Sequence, residues 1–258
     1  MIGQLVDPVP VVGVFLIFTV IALATFEIGF RAGRYAQQRT PDVKEGPNEL
    51  LAGSLLALFA FLLAVTMGMA SDRFDSRRAL VLEEANAIGT TYLRAAFLDP
   101  EAETAVRETL REYVLLRVND GNRETVAAKV ARSVELLDEI WPVAVEQGRR
   151  HDSESVALFI ESLNETIDVQ AARTTALQYA RVPETVLILL FIGEALTMAI
   201  VGFNAGLTGK RAVLSALALV LILGAVLMIV VDLDRPREGF LQVSQQPLID
   251  LAREIGPP

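Results

Sequence analysis

The sequence has no cysteine and a single histidine, His151, in 258 residues. Disulfides, thiolate zinc sites and a cysteine nucleophile are thereby excluded, and a histidine-based metal cluster is out of reach. Basic residues are outnumbered, 23 against 32 acidic, for a formal net charge of −9. Nucleic-acid phosphates would need a basic face, so no nucleic-acid partner is expected. A nucleophile paired with a base, a glycine loop for phosphates and an H-E-x-x-H pattern are missing as well. The chain does not read as an enzyme, and it suggests neither a cofactor nor a metal site.

What it has instead is grease, kept apart from charge. The hydrophobic fraction is 52% beside 21% charged residues, and the mean hydropathy is +0.43. Four windows are nearly free of charge, at about 9–30, 50–70, 183–203 and 212–231. Each approaches or exceeds the ~20 residues that cross a hydrocarbon core. The first could be mistaken for a secretory signal. Its leader MIGQLVD has no Lys or Arg and the apolar run is too long, so a retained helix is expected. The second, LLAGSLLALFAFLLAVTMGMA, carries no charge at all; the third is interrupted by Glu194, with Pro183 where a helix start tolerates it. Buried helices of a soluble protein are usually shorter and more polar. The lipid bilayer is therefore the first partner.

Residues 72–182 lie between spans two and three and hold 14 basic and 20 acidic side chains. Their apolar residues recur at helical spacing, without strand-like alternation. Phe74, Val81, Ala85, Ile88, Tyr92 and Ala95 continue directly out of span two. The reading is one helix of about 49 residues, ~73 Å long, ended at Asp99-Pro100. A second helix is predicted over 101–118 with Val106, Leu110, Tyr113 and Val114 inward. The turn Asn119-Asp120-Gly121-Asn122 follows. A third helix from Arg123 to about Gln147 has the stripe Val126, Val130, Val134, Leu137 and Trp141, and Pro142 should kink or end it. Asp152 or Ser153 can cap a fourth, with Val156, Phe159, Ile160, Leu163 and Ile167 inward, running on to Arg181.

The fold class is therefore all-α: four transmembrane helices with an extramembrane helical bundle inserted between spans two and three. Residues 1–71 hold the first helix pair, 72–182 the bundle, 183–231 the second pair and 232–258 a C-terminal tail. Orientation does not follow from charge. The short connections on one side carry six basic residues and the opposite side carries seven near the spans, which decides nothing under the positive-inside rule.

Span two has a face of small residues, Gly53, Ala57, Ala60, Ala64 and Gly68, at spacings of 4, 3, 4 and 4. Such faces let helices approach closely in lipid, so packing explains them. They also suit a narrow pore with an apolar constriction. Gly29 and Gly33 form a shorter small pair at the end of span one, which packing accounts for. Glu194 inside span three must face protein or water, find a partner, or stay protonated. It reads either as an ion- or proton-linked group or as a neutral carboxyl between helices. Glu27 near a membrane edge has Arg31 at i+4 and reads as a surface pair. A membrane-proximal polar cluster comprises Arg77, Arg78, Glu84, Asn86, Asp232, Asp234 and Arg235. Two carboxylates after the last span are too few ligands for a cation such as Ca²⁺. A salt bridge from them to Arg77 or Arg78 is the plainer reading.

Asp72-Arg73-Phe74-Asp75-Ser76-Arg77-Arg78 followed by Glu84-Ala85-Asn86-Ala87-Ile88-Gly89-Thr90 resembles the bestrophin-like family of membrane proteins. So do Tyr113 and Asp232-Leu233-Asp234-Arg235-Pro236 with Gly239. The resemblance covers nearly the whole chain in order. It implies likeness to bestrophins: pentameric ion channels with four spans per subunit, a cytoplasmic helical region and a pore lined by span two. On it, the small face or Phe59 and Phe61 approach a fivefold axis, inorganic ions are the cargo, and the central domain is cytoplasmic in a plasma or inner membrane. The expected function is an oligomeric ion channel of undetermined selectivity. The alternative is a non-conducting scaffold or sensor whose helical domain binds a protein or lipid.

Overall fold

The structure, a computed structural model, describes residues 9–39, 46–118, 123–209, 211, 213–235 and 239–256. Within them run α1 (Val11–Arg39), α2 (Gly46–Arg94), a short 3-10 turn (Ala95–Phe97), α3 (Pro100–Arg117), α4 (Arg123–Arg150), α5 (Glu154–Tyr179), α6 (Glu184–Thr208), α7 (Val213–Asp234) and α8 (Gln246–Ile255). No strand occurs among the described residues. Four stretches are long and apolar enough to cross a membrane, within Val11–Arg39, Leu50–Phe97, Glu154–Thr208 and Val213–Asp234. The turn at 119–122 and the side chains of 123–127, Val126 included, lie outside the described residues.

The chain divides into two compact units, Met1–Phe74 with Arg181–Gln242, and Asp75–Ala180 with Val243–Pro258. The first is the membrane unit, built from α1, the start of α2, α6 and α7. Its contacts set the alternation of the spans. At one end the Arg235 guanidinium donates to the Val9 carbonyl at 2.6 Å, and the Val182 N–H donates to Asp234 at 2.6 Å. The start of α1, the start of α6 and the end of α7 therefore meet there. At the other end Arg211, just before α7, reaches Glu27 near the end of the apolar part of α1 at 3.5 Å. Large side chains such as Val20, Leu196, Leu214 and Ile222 point outward, an arrangement suited to lipid and unusual in water.

The closest packing in this unit is between α1 and α6. A Cβ placed on Gly29 or Gly33 would strike the carbonyl oxygen of Ala199 or Phe203. One placed on Gly202 or Gly206 would strike that of Phe26 or Phe30. Each helix thus offers a small-xxx-small pair to the other's backbone, so the two cross in van der Waals contact. Both pairs pass in the same sequence direction, as spans one and three must.

The second unit is a helical bundle whose core includes Val81, Ile88, Leu110, Tyr113, Leu136, Ile140, Phe159 and Leu163, closed by Leu248, Leu251 and Ile255 of α8. The inward stripes of α2, α3 and α5 fall where the 3.6-residue period puts them, and Ser153 caps α5 by accepting from the Val156 N–H. Two details differ. Helix α4 runs through Pro142 to Arg150, because Pro142 sits on the exposed face, where water can satisfy the carbonyl that a proline leaves unbonded. The buried face of α4 is Ser133, Leu136, Leu137, Ile140, Ala144 and Gln147, leaving Val134 and Trp141 exposed. The sequence offers two adjacent apolar stripes there, and the partner helices take the one with Ile140. Helix α5 stops at Tyr179, short of Arg181, and α6 begins after Pro183.

Candidate functional site

Span two has two distinct faces. Ala52, Phe59, Leu63, Thr66 and Ala70 are buried in the membrane unit. Phe59 packs in a cluster with Phe18, Leu190 and Leu227, and its ring lies against the backbone of Gly193. The second face is bare. Gly53, Ala57, Ala60, Ala64 and Gly68 are all exposed, and a Cβ added to Gly53 or Gly68 would meet open space. Phe61 flanks this face at 63% exposure, whereas Phe59 is at 2%. The two phenylalanines proposed from sequence thus point different ways. The bare face has no charge from Leu50 to Ser71, and none of the described residues covers the two glycines.

The intramembrane carboxylates also differ from each other. Glu27 is partly exposed and bonds to Arg31 at 2.8 Å, with Arg211 at 3.5 Å. Glu194 is 1% exposed on the inward stripe of α6.

At the end of α7, Asp232 accepts N–H bonds from Phe240 and Leu241, both at 2.8 Å. Gly239 makes that turn with φ of 126°, and a Cβ there would collide with the Asp232 carboxylate. Asp234 takes the Val182 N–H and stands 3.4 Å from the Arg181 Nε. These carboxylates brace the turn after span four and the entry to span three. Among the described residues no three His, Asp or Glu side chains gather in a metal-holding group.

In the helical unit the focus is Glu84. It is fully buried and receives the Tyr113 hydroxyl at 2.8 Å, Arg117 Nε at 2.6 Å and Nη2 at 3.3 Å, and an Arg173 guanidinium nitrogen. Arg173 extends its other nitrogen to Gln245. Burial alone would raise the Glu84 carboxyl, but the Arg117 and Arg173 guanidiniums outweigh it and hold the group below its ordinary value. Burial and the adjacent Glu84 charge push the Tyr113 phenol well above its own. The chemistry is structural: one carboxylate shared by α2, α3 and α5, with the stretch before α8 tied in through Arg173. Of the remaining polar residues read from sequence, Arg77 donates to the Ala180 carbonyl at 3.3 Å, while Arg78 and Asn86 are exposed. The sequence alone does not single out Arg117 and Arg173, although each continues a buried stripe at helical spacing, after Tyr113-Val114 and after Thr166 and Gln170.

The profile of the Bestrophin-like domain matches residues 13–248. No curated protein matches the sequence. Among solved structures, the crystal structure of a membrane protein with a proline-to-alanine change aligns with a TM-score of 0.67 at 13% identity, covering 95% of this chain and 97% of that one. A mutant of a bacterial bestrophin homologue from Klebsiella pneumoniae aligns with a TM-score of 0.65 at 14% identity, again covering 95% and 97%. The backbone arrangement is shared over nearly all of each chain.

Proposed function

This chain belongs to the Bestrophin-like family, and on that premise we propose that it is one subunit of an oligomeric ion channel. The bare face of span two is turned to the symmetry axis, and the helical unit lies in the cytoplasm of a plasma- or inner-membrane protein. Five copies is the number that the likeness to bestrophins implies.

One observation carries the reading. Gly53, Ala57, Ala60, Ala64 and Gly68 stay exposed with open space beside the glycines, while another face of the same helix is already packed. A small, uncharged face lets neighbouring helices approach closely, and copies arranged about an axis leave an apolar constriction that gates by dewetting. Phe61 borders this face. Phe59, packed into its own subunit, contributes to the wall behind it.

The test is the native mass in detergent together with ion flux from liposomes. A mass several times 28.1 kDa and a flux that Ala64→Trp reduces are expected. A monomer, or no flux across a range of pH and voltage, overturns the channel and favours a scaffold or sensor.

A further inference from the structure

Among the described residues, span three holds a carboxyl with no partner. Glu194 is 1% exposed, and neither of its carboxyl oxygens has a hydrogen bond. It belongs to the buried stripe Leu187, Leu190, Glu194, Thr197 and Met198 of α6, so it faces its own bundle.

The residues one turn away on each side fix its level. Leu190 packs with Phe18, Phe59 and Leu223; Met198 packs with Ala22, Phe26 and Val220. Glu194 lies between these two apolar clusters. Span one passes from the first cluster to the second between Phe18 and Ala22. On that stretch the Thr19 hydroxyl is likewise buried and unbonded. Two unsatisfied polar side chains therefore share one level between two apolar clusters, with Thr197 next to Glu194 on the inward stripe.

Among the described residues no charge compensates them. Across the stretches 11–26, 50–71, 185–209 and 213–231, Glu194 is the one titratable side chain. Toward the ends of the spans, Glu27 is held by Arg31 and Arg211, Asp232 by two backbone N–H groups and Asp234 by the Val182 N–H. Glu184 and Arg34, like Asp72 and Arg73, also lie toward or beyond the ends of the uncharged stretches.

An unpaired ionised carboxylate at this depth costs several kcal/mol. Something must neutralise it. A hard cation wants about six to eight oxygen ligands, and this level offers two carboxyl oxygens and the hydroxyls of Thr19 and Thr197. A proton needs one. We propose that Glu194 is a proton-binding site inside each subunit. Its carboxyl is neutral in this conformation, with its hydroxyl directed at Thr19, and it gives the proton up only when water enters the bundle. The site is separate from the bare face of span two and does not depend on the channel reading.

The test is infrared spectroscopy of the full-length protein in liposomes. At neutral pH every surface carboxyl is ionised, so one protonated-carboxyl C=O band per subunit is expected, sensitive to ²H₂O and absent in Glu194→Gln. It should decline as pH rises and ignore Na⁺, K⁺ or Ca²⁺ added at fixed pH. If Glu194→Gln fails to fold, Thr19→Val serves: the band persists and shifts. The absence of a band at neutral pH overturns the proposal. So does a band abolished by a cation at constant pH, which makes this a cation site, or a band that Thr19→Val leaves unmoved.

Discussion

Arg117 grips Glu84 through two nitrogens, Nε to Oε1 at 2.6 Å and Nη2 to Oε2 at 3.3 Å, with both side chains almost wholly out of solvent. A fork of this kind fixes the plane of the carboxylate. Arg173 binds the same carboxylate from α5, and the Tyr113 hydroxyl completes it from α3.

Removing the carboxylate charge leaves two buried guanidiniums uncompensated. Breaking a buried pair in this way costs about 3–5 kcal/mol. Glu84→Gln should therefore destabilise the helical unit by an amount of that order. Tyr113→Phe, which removes one bond to a charged acceptor, should cost about 1.5–3 kcal/mol. Trp141 is the one tryptophan in the chain and belongs to this unit, so its fluorescence during denaturant unfolding reads both. A Glu84→Gln protein unfolding at the wild-type midpoint would contradict the network's role.

The same network sets a pH window. The Glu84 carboxyl is held below its ordinary value of 4.5 in the folded chain, so folding favours its ionised form. That stability is complete above the unfolded value and drains away as pH falls through the folded one. The Tyr113 phenol is pushed well above 10.0, so folding favours its neutral form, and stability declines as pH rises past the unfolded value. The unfolding midpoint followed at Trp141 should be flat through neutrality and fall at both extremes. Tyr113→Phe should flatten the alkaline fall specifically.

After span four, Asp232 and Gly239 depend on each other. Gly239→Ala places a Cβ at φ of 126° against the carboxylate that holds the Phe240 and Leu241 N–H groups. The backbone region alone costs about 1–3 kcal/mol, before the collision is counted. Asp232→Asn keeps the shape and weakens the bonds, so it should lower thermal stability in detergent less than Gly239→Ala does. The reverse order would mean that the turn is not what the carboxylate maintains.

The spans and most of the bundle could be read from the chain, because uncharged windows of membrane length and a 3.6-residue stripe are local signals. Ser153 as a cap and the inward run Val106, Leu110, Tyr113 and Val114 are of this kind. The polar network has no local signal of its own. Arg117 and Arg173 are charged and so pass for solvent-facing, although their register puts them inside. The α1–α6 contact is half legible, since Gly29 and Gly33 stand out as a small pair but do not themselves point to Gly202 and Gly206 as their counterpart. Which of two apolar stripes α4 buries is a tertiary choice that its own residues do not make. Helix α8 is only ten residues long, too short for its periodicity to stand out beside a proline-containing tail.

Glycine gives the sharpest contrast, because one substitution should have opposite results at two places. At Gly29 and Gly202 a Cβ meets backbone carbonyl oxygen, and no rotamer change relieves a backbone. The helices must separate, with a cost of about 1–3 kcal/mol or more for each added methyl. Gly29→Ala and Gly202→Ala should each reduce the yield of folded protein in detergent. At Gly53 and Gly68 a Cβ meets none of the described residues, so Gly53→Ala and Gly68→Ala should leave the subunit's thermal stability within about 0.5 kcal/mol of wild type, as for a surface change. If copies face one another across this surface, the larger Gly68→Leu should alter native mass or flux while the subunit still folds. A Gly68→Leu protein with wild-type mass and wild-type flux would place span two's bare face against lipid.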